Sequence, residues 1–177
     1  EQLVSMADTS DVYWGVSLAA ETLGTNRRVK SETSAGIYGL WADIDVRDPD
    51  VHQKYNLPPD LDSAWELVEA TGLTPSITIN SGHGLQCWWL FEEAWIFESE
   101  DDRREAAALS NLWNTTLRVL ASERNWLVDS VFDLARVMRL PGTLNRKGEP
   151  IVPVVTVAAP GTRYSVEDFE SHALGED

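Results

Sequence analysis

Two aspartates separated by one residue, Asp43 and Asp45, are the side chains in this sequence best suited to chemistry. They end an apolar, β-favouring run over residues 36–46, which predicts a buried strand. Residues two apart on a strand point to the same face, so the carboxylates project side by side with their Cα atoms about 7 Å apart. Two such carboxylates repel each other and lose hydration on burial unless a positive charge lies between them.

The aspartate pair allows two interpretations. A divalent cation would neutralise both charges, and carboxylate oxygens suit Mg²⁺ or Mn²⁺. Alternatively, the strand ends in solvent and both acids are simply hydrated. The pair by itself leaves these two possibilities equally open.

A second stretch, residues 127–147, places acidic and basic side chains close together in the chain. Asp129 follows an apolar pair and would complete a set of three carboxylates with the first two. Arg136 and Arg139 would share a face within one helical turn, and their guanidinium groups match phosphate oxygens. A metal site beside two such arginines suits nucleotidyl transfer. Ordinary surface ion pairs, worth about 0–1 kcal/mol each, explain the same residues equally well.

The third segment is a turn with two glycines, Ser81-Gly82-His83-Gly84, inside a predicted hairpin over residues 76–91. Glycines let backbone N–H groups approach an anion closely, and the Ser81 hydroxyl is a further donor. A plain hairpin turn with a solvated His83 is the simpler interpretation of the turn taken alone.

The composition limits the class of protein. The 177 residues, 43% of them hydrophobic, suit one domain or two small lobes that share a core. There is no apolar run of about 18 residues and no signal peptide pattern, so we expect a cytoplasmic protein. The single cysteine, Cys87, excludes an internal disulfide and a cysteine-based zinc ribbon, and we expect it to be a small buried core residue. The chain lacks a starting Met, so we expect a fragment of a larger protein.

The net charge of −15 argues against tight nonspecific binding of nucleic acid. The basic residues nevertheless cluster in two stretches. One is a predicted loop with Arg27, Arg28 and Lys30, and the other contains Arg136, Arg139, Arg146 and Lys147. The loop could follow a template backbone or merely be solvated.

Strands and helices are interleaved along the chain. Beyond the aspartate strand and the hairpin, the patterns predict strands over 12–18 and 151–158 and an extended piece over 126–133. Helices are predicted over 63–71, capped by Asp62 or Ser63, over 99–122, and over 166–173. This arrangement predicts an α+β or α/β fold with mixed or antiparallel sheets.

The three segments, in this order and spacing, resemble the archaeo-eukaryotic primase (AEP) superfamily, in particular the primase-polymerase domain of phage and plasmid replication proteins. That family has an acidic strand motif, a Ser/Gly turn with a following His, a hydrophobic-Asp motif, and in phage and plasmid members an Arg-x-x-Arg-x-Pro-Gly-Thr-x-Asn-x-Lys-like segment. This chain matches it with Asp43 and Asp45, with Ser81, with Val128-Asp129, and with residues 136–147. The resemblance covers residues 12–155.

The resemblance implies a role for each matching position. Asp43, Asp45 and Asp129 would bind two Mg²⁺ or Mn²⁺ ions. Ser81 would contact the triphosphate, Arg136 and Arg139 would bind nucleotide phosphates, and Asn145 and Lys147 would lie near the nucleotide or template. Family members often have a His where this chain has Gln86, so either Gln86 or His83 would make that contact.

The resemblance also implies an activity and an architecture. The activity would be that of a DNA primase, a DNA polymerase or both, acting on single-stranded or primed DNA with NTP or dNTP substrates in a bacterial or phage-infected cell. The fold would be two α/β lobes around a cleft, one like an RNA-recognition motif. Residues 1–177 would form one catalytic core, with a helicase region possible elsewhere in the full-length protein.

Two other classes of function remain open from the residues. One is a metal-dependent nuclease or replication initiator. A rolling-circle initiator is disfavoured because its paired histidines are absent, since His52, His83 and His172 are widely spaced. The other is a noncatalytic nucleic-acid-binding module.

Overall fold

Ten strands and three helices form the structure, a computed structural model that describes residues 8–24 and 27–174. The strands are β1 (Tyr13–Gly15), β2 (Ser17–Ala19), β3 (Ser34–Asp45), β4 (Ile77–Asn80), β5 (Gly84–Ile96), β6 (Val137–Arg139), β7 (Leu144–Asn145), β8 (Val152–Pro153), β9 (Val155–Ala158) and β10 (Arg163–Tyr164). The helices are α1 (Leu61–Glu69), α2 (Glu100–Ser122) and α3 (Val166–His172), and a 3₁₀ turn covers Ser31–Thr33.

The central sheet has the strand order β2-β3-β5-β4-β9, and β10 pairs with β5 beyond the residues that pair with β4. β10 runs parallel to β5, and the other neighbours in this sheet are antiparallel. Two small sheets, β1-β6 and β7-β8, accompany it. The mixed sheet with separate helices confirms the predicted α+β class.

β3 and β5 are the longest strands and form the centre of the sheet. Their sequences are nearly continuous apolar runs, as expected for strands that are buried on both faces. The predicted hairpin over 76–91 is confirmed by the antiparallel pairing of β4 and β5. β5 continues five residues past the predicted end, to Ile96, because its outer part pairs with β3 and β10.

Side-chain alternation along β3 and β5 gives the sheet two different faces, because residues opposite each other on paired strands share a face. We call one the helix face; it carries Leu40, Ala42, Ile44, Leu85, Cys87 and Trp89. We call the other the acidic face; it carries Trp41, Asp43, Asp45, Gln86 and Trp88.

The helices cover the helix face. Trp113 of α2 packs edge to face on Trp89 with ring centroids 5.2 Å apart, and Phe169 of α3 packs on Trp113 at 5.1 Å. α2 begins where predicted, since Ser99 and Asp102 cap each other's backbone amides. α1 begins earlier than predicted. Its cap is Asp60, not Asp62 or Ser63, because the Asp60 carboxylate accepts the Ser63 amide.

Residues 126–154 cover the acidic face. The Trp41 indole donates to the carbonyl of Val131 at 2.6 Å, which holds this segment against the sheet. The predicted extended piece over 126–133 forms no strand. The predicted strand over 12–18 is two strands in different sheets, β1 and β2, and the predicted strand over 151–158 is likewise divided into β8 and β9.

Cys87 lies fully buried on the helix face, as predicted. Burial raises the pKa of its thiol to about 12, so the side chain is an inert core group at neutral pH. Among the helices that the structure describes, none is both long enough and apolar enough to cross a bilayer.

Candidate active site

The aspartate pair lies at the end of β3, on the acidic face. Asp43 is directly opposite Gln86 on β5, and Asp45 is opposite Gly84. A Cβ atom on Gly84 would lie 2.3 Å from the carbonyl oxygen of Ile44, so only glycine permits the two strands to approach here. The glycine that the sequence suggested for anion binding therefore serves strand pairing beside the carboxylates.

Asp43 is held in an electrostatically strained position. Burial and the neighbouring Asp45 charge raise the pKa of Asp43 to about 6. The hydrogen bond from Gln86 and the charges of Arg136 and Arg139 act in the opposite direction without cancelling the rise. Both arginines therefore act on the carboxylate pair electrostatically, but their positive charge is too small an influence to offset burial and the repulsion from Asp45.

Asp45 has a mixed environment. Burial raises its pKa, and the charge of Asp129 raises it further, while His52 and Lys147 oppose the rise. His52 Nδ1 lies 3.5 Å from Asp45 Oδ1, and His52 Nε2 lies 2.7 Å from Lys147 Nζ. An ammonium group can only donate, so Nε2 accepts and the ring proton sits on Nδ1, facing Asp45. Lys147 therefore comes close to the carboxylates through His52, from the segment where the resemblance expects it.

Asp129 is electrostatically coupled to Asp45 but does not close a metal-binding cluster. Its carboxylate pairs with Lys54 Nζ at 3.2 Å, and both side chains are about half exposed. Within residues 8–24 and 27–174, no group of three or more His, Cys, Asp or Glu side chains is arranged to hold a metal ion. The chemistry of the donors nevertheless fits Mg²⁺ or Mn²⁺, because Asp45 raises the pKa of Asp43, Asp129 raises that of Asp45, and a cation among these hard carboxylates would offset the repulsion.

Arg136 and Arg139 do not share a helical turn, and that prediction is wrong. Arg139 ends β6, which pairs with β1, because apolar Val137 and Met138 find a partner strand more than 120 residues earlier in the chain. Arg136 precedes the strand, and its Nε lies 3.3 Å from Asp133 Oδ2.

Both guanidinium groups nevertheless keep donors available. Arg136 Nε and Arg139 Nη1 are buried nitrogens that make no hydrogen bond, although each lies near a carboxylate. Each nitrogen has an ion-pair partner but no well-aligned hydrogen bond, so an incoming acceptor oxygen would complete its bonding.

Gln86 connects the aspartates to this arginine strand. Its Nε2 donates to Asp43 Oδ1 at 3.4 Å, and its Oε1 accepts the backbone amide of Arg139 at 2.9 Å. Only 4% of Gln86 is exposed, so its side chain is fixed between the two elements.

His83 is buried, so its interpretation as a solvated turn residue is wrong. Its Nδ1 lies 2.9 Å from Asp48 Oδ2, and its Nε2 is buried without a hydrogen bond. The His52 ring packs on it with centroids 6.0 Å apart. The loop after β3 folds back over the turn because Asp48 and His52 exchange backbone hydrogen bonds, and this covers His83.

Ser81 and Asn145 are engaged in internal hydrogen bonds. The Ser81 hydroxyl donates to the Gly84 carbonyl at 3.2 Å. The Asn145 amide donates to the Ser81 carbonyl at 2.7 Å and accepts from the Lys147 amide at 2.9 Å. These bonds fasten the turn before β5 to the segment that carries Lys147.

The basic loop is far along β3 from the aspartates. Arg27, Arg28 and Lys30 are exposed and precede the first residue of β3, while Asp43 lies near its other end. At about 3.3 Å per residue, the start of the strand is roughly 30 Å from Asp43. The structure therefore does not bring this loop to the carboxylates.

Sequence reasoning missed four side chains around the site. Asp11 pairs with Arg139, Tyr13 stacks on Arg139, His52 faces Asp45, and Lys54 pairs with Asp129. None lies in a recognisable motif. Only the apolar alternation around β1 could have shown that residues 11–13 would pair with a distant strand.

The fold is similar to that of a solved structure, the AEP domain (PP-N190) of the primase-polymerase of cyanophage S-2L. The TM-score is 0.61, and the match covers 96% of this chain and 73% of the other at 19% sequence identity. No protein-family model and no curated protein sequence matches this chain significantly. The chain therefore shares the fold of a primase-polymerase AEP domain.

Proposed function

We propose that this chain is a catalytic core for template-directed nucleotidyl transfer, a DNA primase or DNA polymerase that uses two divalent metal ions. The carrying observation is the aspartate pair on β3, which lies under the influence of Arg136 and Arg139 within a primase-polymerase fold. Substrates would be NTPs or dNTPs on single-stranded or primed DNA. Phage or plasmid replication and a helicase region elsewhere in the full-length protein belong to the same proposal.

The proposed metal ligands are Asp43, Asp45 and Asp129. Bound there, Mg²⁺ or Mn²⁺ supplies Lewis-acid activation of the primer hydroxyl and neutralises charge on the triphosphate. Lys54 would release Asp129 on binding, since an exposed ion pair costs little to break.

The chain's own residues would orient the nucleotide. Arg136 and Arg139 have buried, unbonded nitrogens that can donate to phosphate oxygens, which positions the triphosphate in line with the attacking hydroxyl. His83 Nδ1 donates to Asp48, so the buried and unbonded Nε2 would donate to a phosphate oxygen only in the doubly protonated ring; that cationic form favours His83 over the neutral Gln86 for this contact. Gln86 holds Asp43 and the Arg139 strand at a fixed separation.

The remaining predicted residues would support the site from its edges. Ser81 and Asn145 fix the turn that presents His83. Lys147 adds positive charge beside Asp45 through His52. A template role for Arg27, Arg28 and Lys30 requires DNA that extends along the whole of β3.

The test is the length of the product from a 5′-labelled primer annealed to a longer template, incubated with Mn²⁺ and with dNTPs or NTPs in parallel. We expect lengthened products that follow the template sequence. Shortened products would indicate a nuclease instead. An unchanged primer, together with no calorimetric heat on titration with Mn²⁺ and nucleotide, would indicate a noncatalytic module and contradict the proposal.

A further inference from the structure

Tyr13 of β1 and Asp11, which precedes that strand, hold the guanidinium of Arg139 from two sides. Asp11 Oδ2 lies 3.3 Å from Arg139 Nη1, and the guanidinium carbon lies 5.0 Å from the centroid of the Tyr13 ring. Tyr13 is the direct cross-strand partner of Arg139 in the β1-β6 pair, so both contacts follow from one strand register.

Asp11 is fixed by more than this ion pair. Its other oxygen, Oδ1, accepts the backbone amide of Arg146 at 2.9 Å, and Arg146 Nη1 donates to the carbonyl of Ser10 at 2.9 Å. Burial alone would raise the pKa of Asp11, but the Arg146 amide and the Arg139 charge outweigh it and leave that pKa below its usual value. Asp11 is therefore ionised at neutral pH and ties Arg139 to the loop after β7.

Tyr13 lies at the surface above a largely buried guanidinium. Tyr13 is 45% exposed, whereas the side chain of Arg139 beneath it is only 10% exposed. The ring therefore shields the guanidinium from water on one side, which strengthens the interaction of that charge with a ligand anion. Arg139 Nη1 forms an ion pair with Asp11 but no well-aligned hydrogen bond, so an oxygen of a ligand could still accept from it.

We propose that Asp11 and Tyr13 are positioning residues that hold the Arg139 guanidinium ready for the phosphates of an incoming nucleoside triphosphate. An arginine side chain has many rotamers, and fixing one of them before binding removes that entropy cost from the binding step. This inference rests on the proposed function and adds two residues to it that belong to none of the sequence motifs.

The two residues permit conservative variants. Tyr13→Phe keeps the ring and removes a hydroxyl that is only weakly engaged, 3.5 Å from Asp11 Oδ2. Tyr13→Leu removes the ring, and Asp11→Asn removes the charge while keeping an oxygen for the Arg146 amide. Tyr38→Leu is the matched control, since Tyr38 is 43% exposed on β3 and has no contact with Arg139 among the interactions described.

The experiment measures kcat and KM for the nucleotide in primer extension, and nucleotide Kd by titration, for the complete chain and each variant. Tyr13→Leu and Asp11→Asn should raise KM and Kd about 3- to 10-fold, with kcat within about twofold. Tyr13→Phe and Tyr38→Leu should have the same kcat, KM and Kd as the wild type. In an Arg139→Ala background, Tyr13→Leu should have no further effect, because its role acts through that guanidinium.

A second readout needs no nucleotide. The Nε–Hε signal of Arg139, identified by Arg139→Lys, should shift in Tyr13→Leu and stay in place in Tyr38→Leu, because only Tyr13 lies over the guanidinium. An unmoved signal, or a moved signal with unchanged KM and Kd, would overturn this inference while leaving the proposed function standing. A wild-type chain that neither binds nor incorporates nucleotide would overturn the proposed function, and this inference with it.

Discussion

The helix face and the acidic face are built from the same two strands, yet they have opposite physical character. On the helix face, Trp89 is fully buried against Trp113 and its indole donates to the carbonyl of Leu73 at 2.8 Å. On the acidic face, two residues further along β3 from Trp41, two carboxylates lie together and raise the pKa of Asp43. The helix face buries mainly apolar and aromatic groups, and the acidic face holds two carboxylates whose repulsion is not fully offset.

This contrast shows that the acidic face lowers the stability of the fold and that the helix face must offset the loss. A sheet can tolerate like charges on one face only if the other face supplies enough burial to hold the strands in register. The aromatic packing against α2 does so here, and Gly84 lets β5 approach β3 beside the aspartates. The comparison predicts that substitutions on the acidic face change activity and substitutions on the helix face change stability.

The largest expected effect is on activity, from the acidic face. Asp43→Asn or Asp45→Asn should lower the rate of primer extension at least about 10³-fold, roughly 4 kcal/mol in the activation barrier, because each side chain is a proposed metal ligand. Glu105→Gln, an exposed acid on α2, is the matched control and should keep full activity. Extension by either aspartate variant at the control's rate, with Mn²⁺ present, would remove these residues from the site.

The next effect is on stability, from the helix face. Trp89→Ala should lower the free energy of unfolding by about 3–5 kcal/mol, because it leaves a large cavity against Trp113. Trp14→Ala should lower the free energy of unfolding by less than half as much, since Trp14 is 38% exposed whereas Trp89 is fully buried. Urea denaturation measures both, and equal losses would break the distinction between the faces.

Gln86 tests the connection between the aspartates and the arginine strand. Gln86→Leu should lower stability by about 1–3 kcal/mol, because the buried Arg139 amide then lacks an acceptor. It should also raise the KM for nucleotide, since Arg139 is no longer held at its distance from Asp43. Gln53→Leu, on the exposed loop after β3, should change neither quantity. If Gln86→Leu changed neither stability nor the KM for nucleotide, the aspartates of β3 and the arginine strand β6 would be positioned independently of each other.

The smallest expected effect is an increase in the stability of the metal-free protein at neutral pH. Because the folded state raises the pKa of Asp43 to about 6, the metal-free protein binds that proton more tightly than the unfolded chain does. Its stability should therefore fall as the pH rises from about 4 to 6, and the loss should be complete above that range. Asp43→Asn should remove this loss and stabilise the metal-free protein at pH 7 by about 1–2 kcal/mol. Thermal unfolding of the wild type and of Asp43→Asn at pH 4.5 and pH 7 measures this difference. A variant less stable than the wild type at pH 7 would contradict the repulsion proposed for the aspartate pair.

Local patterns were sufficient for the strands and helices that the chain encodes by itself. β3, the β4-β5 hairpin and α2 could be predicted because apolar runs, a glycine turn and the Ser99 cap lie within each segment. β6 could not, since Val137 and Met138 become a strand only by pairing with residues 13–15. The Arg136-Arg139 spacing therefore suggested a helical turn that does not exist.

The same limit applies to the candidate site. The motif residues were identifiable because they follow one another along the chain in the order and spacing of the family's motifs. Asp11, Tyr13 and His52 were not, because their contacts to Arg139 and Asp45 depend on how separate loops fold over the acidic face. The burial of His83 could not be predicted, because nothing in its own turn shows that the earlier loop with Asp48 and His52 covers it.

The most direct test of the central claim is the position of bound metal. Crystals grown with Mn²⁺ and a nonhydrolysable nucleoside triphosphate should show anomalous density between the carboxylates of Asp43, Asp45 and Asp129, with Lys54 displaced and the phosphates on Arg136 and Arg139. Manganese bound elsewhere, or a triphosphate that does not reach either arginine, would contradict the account.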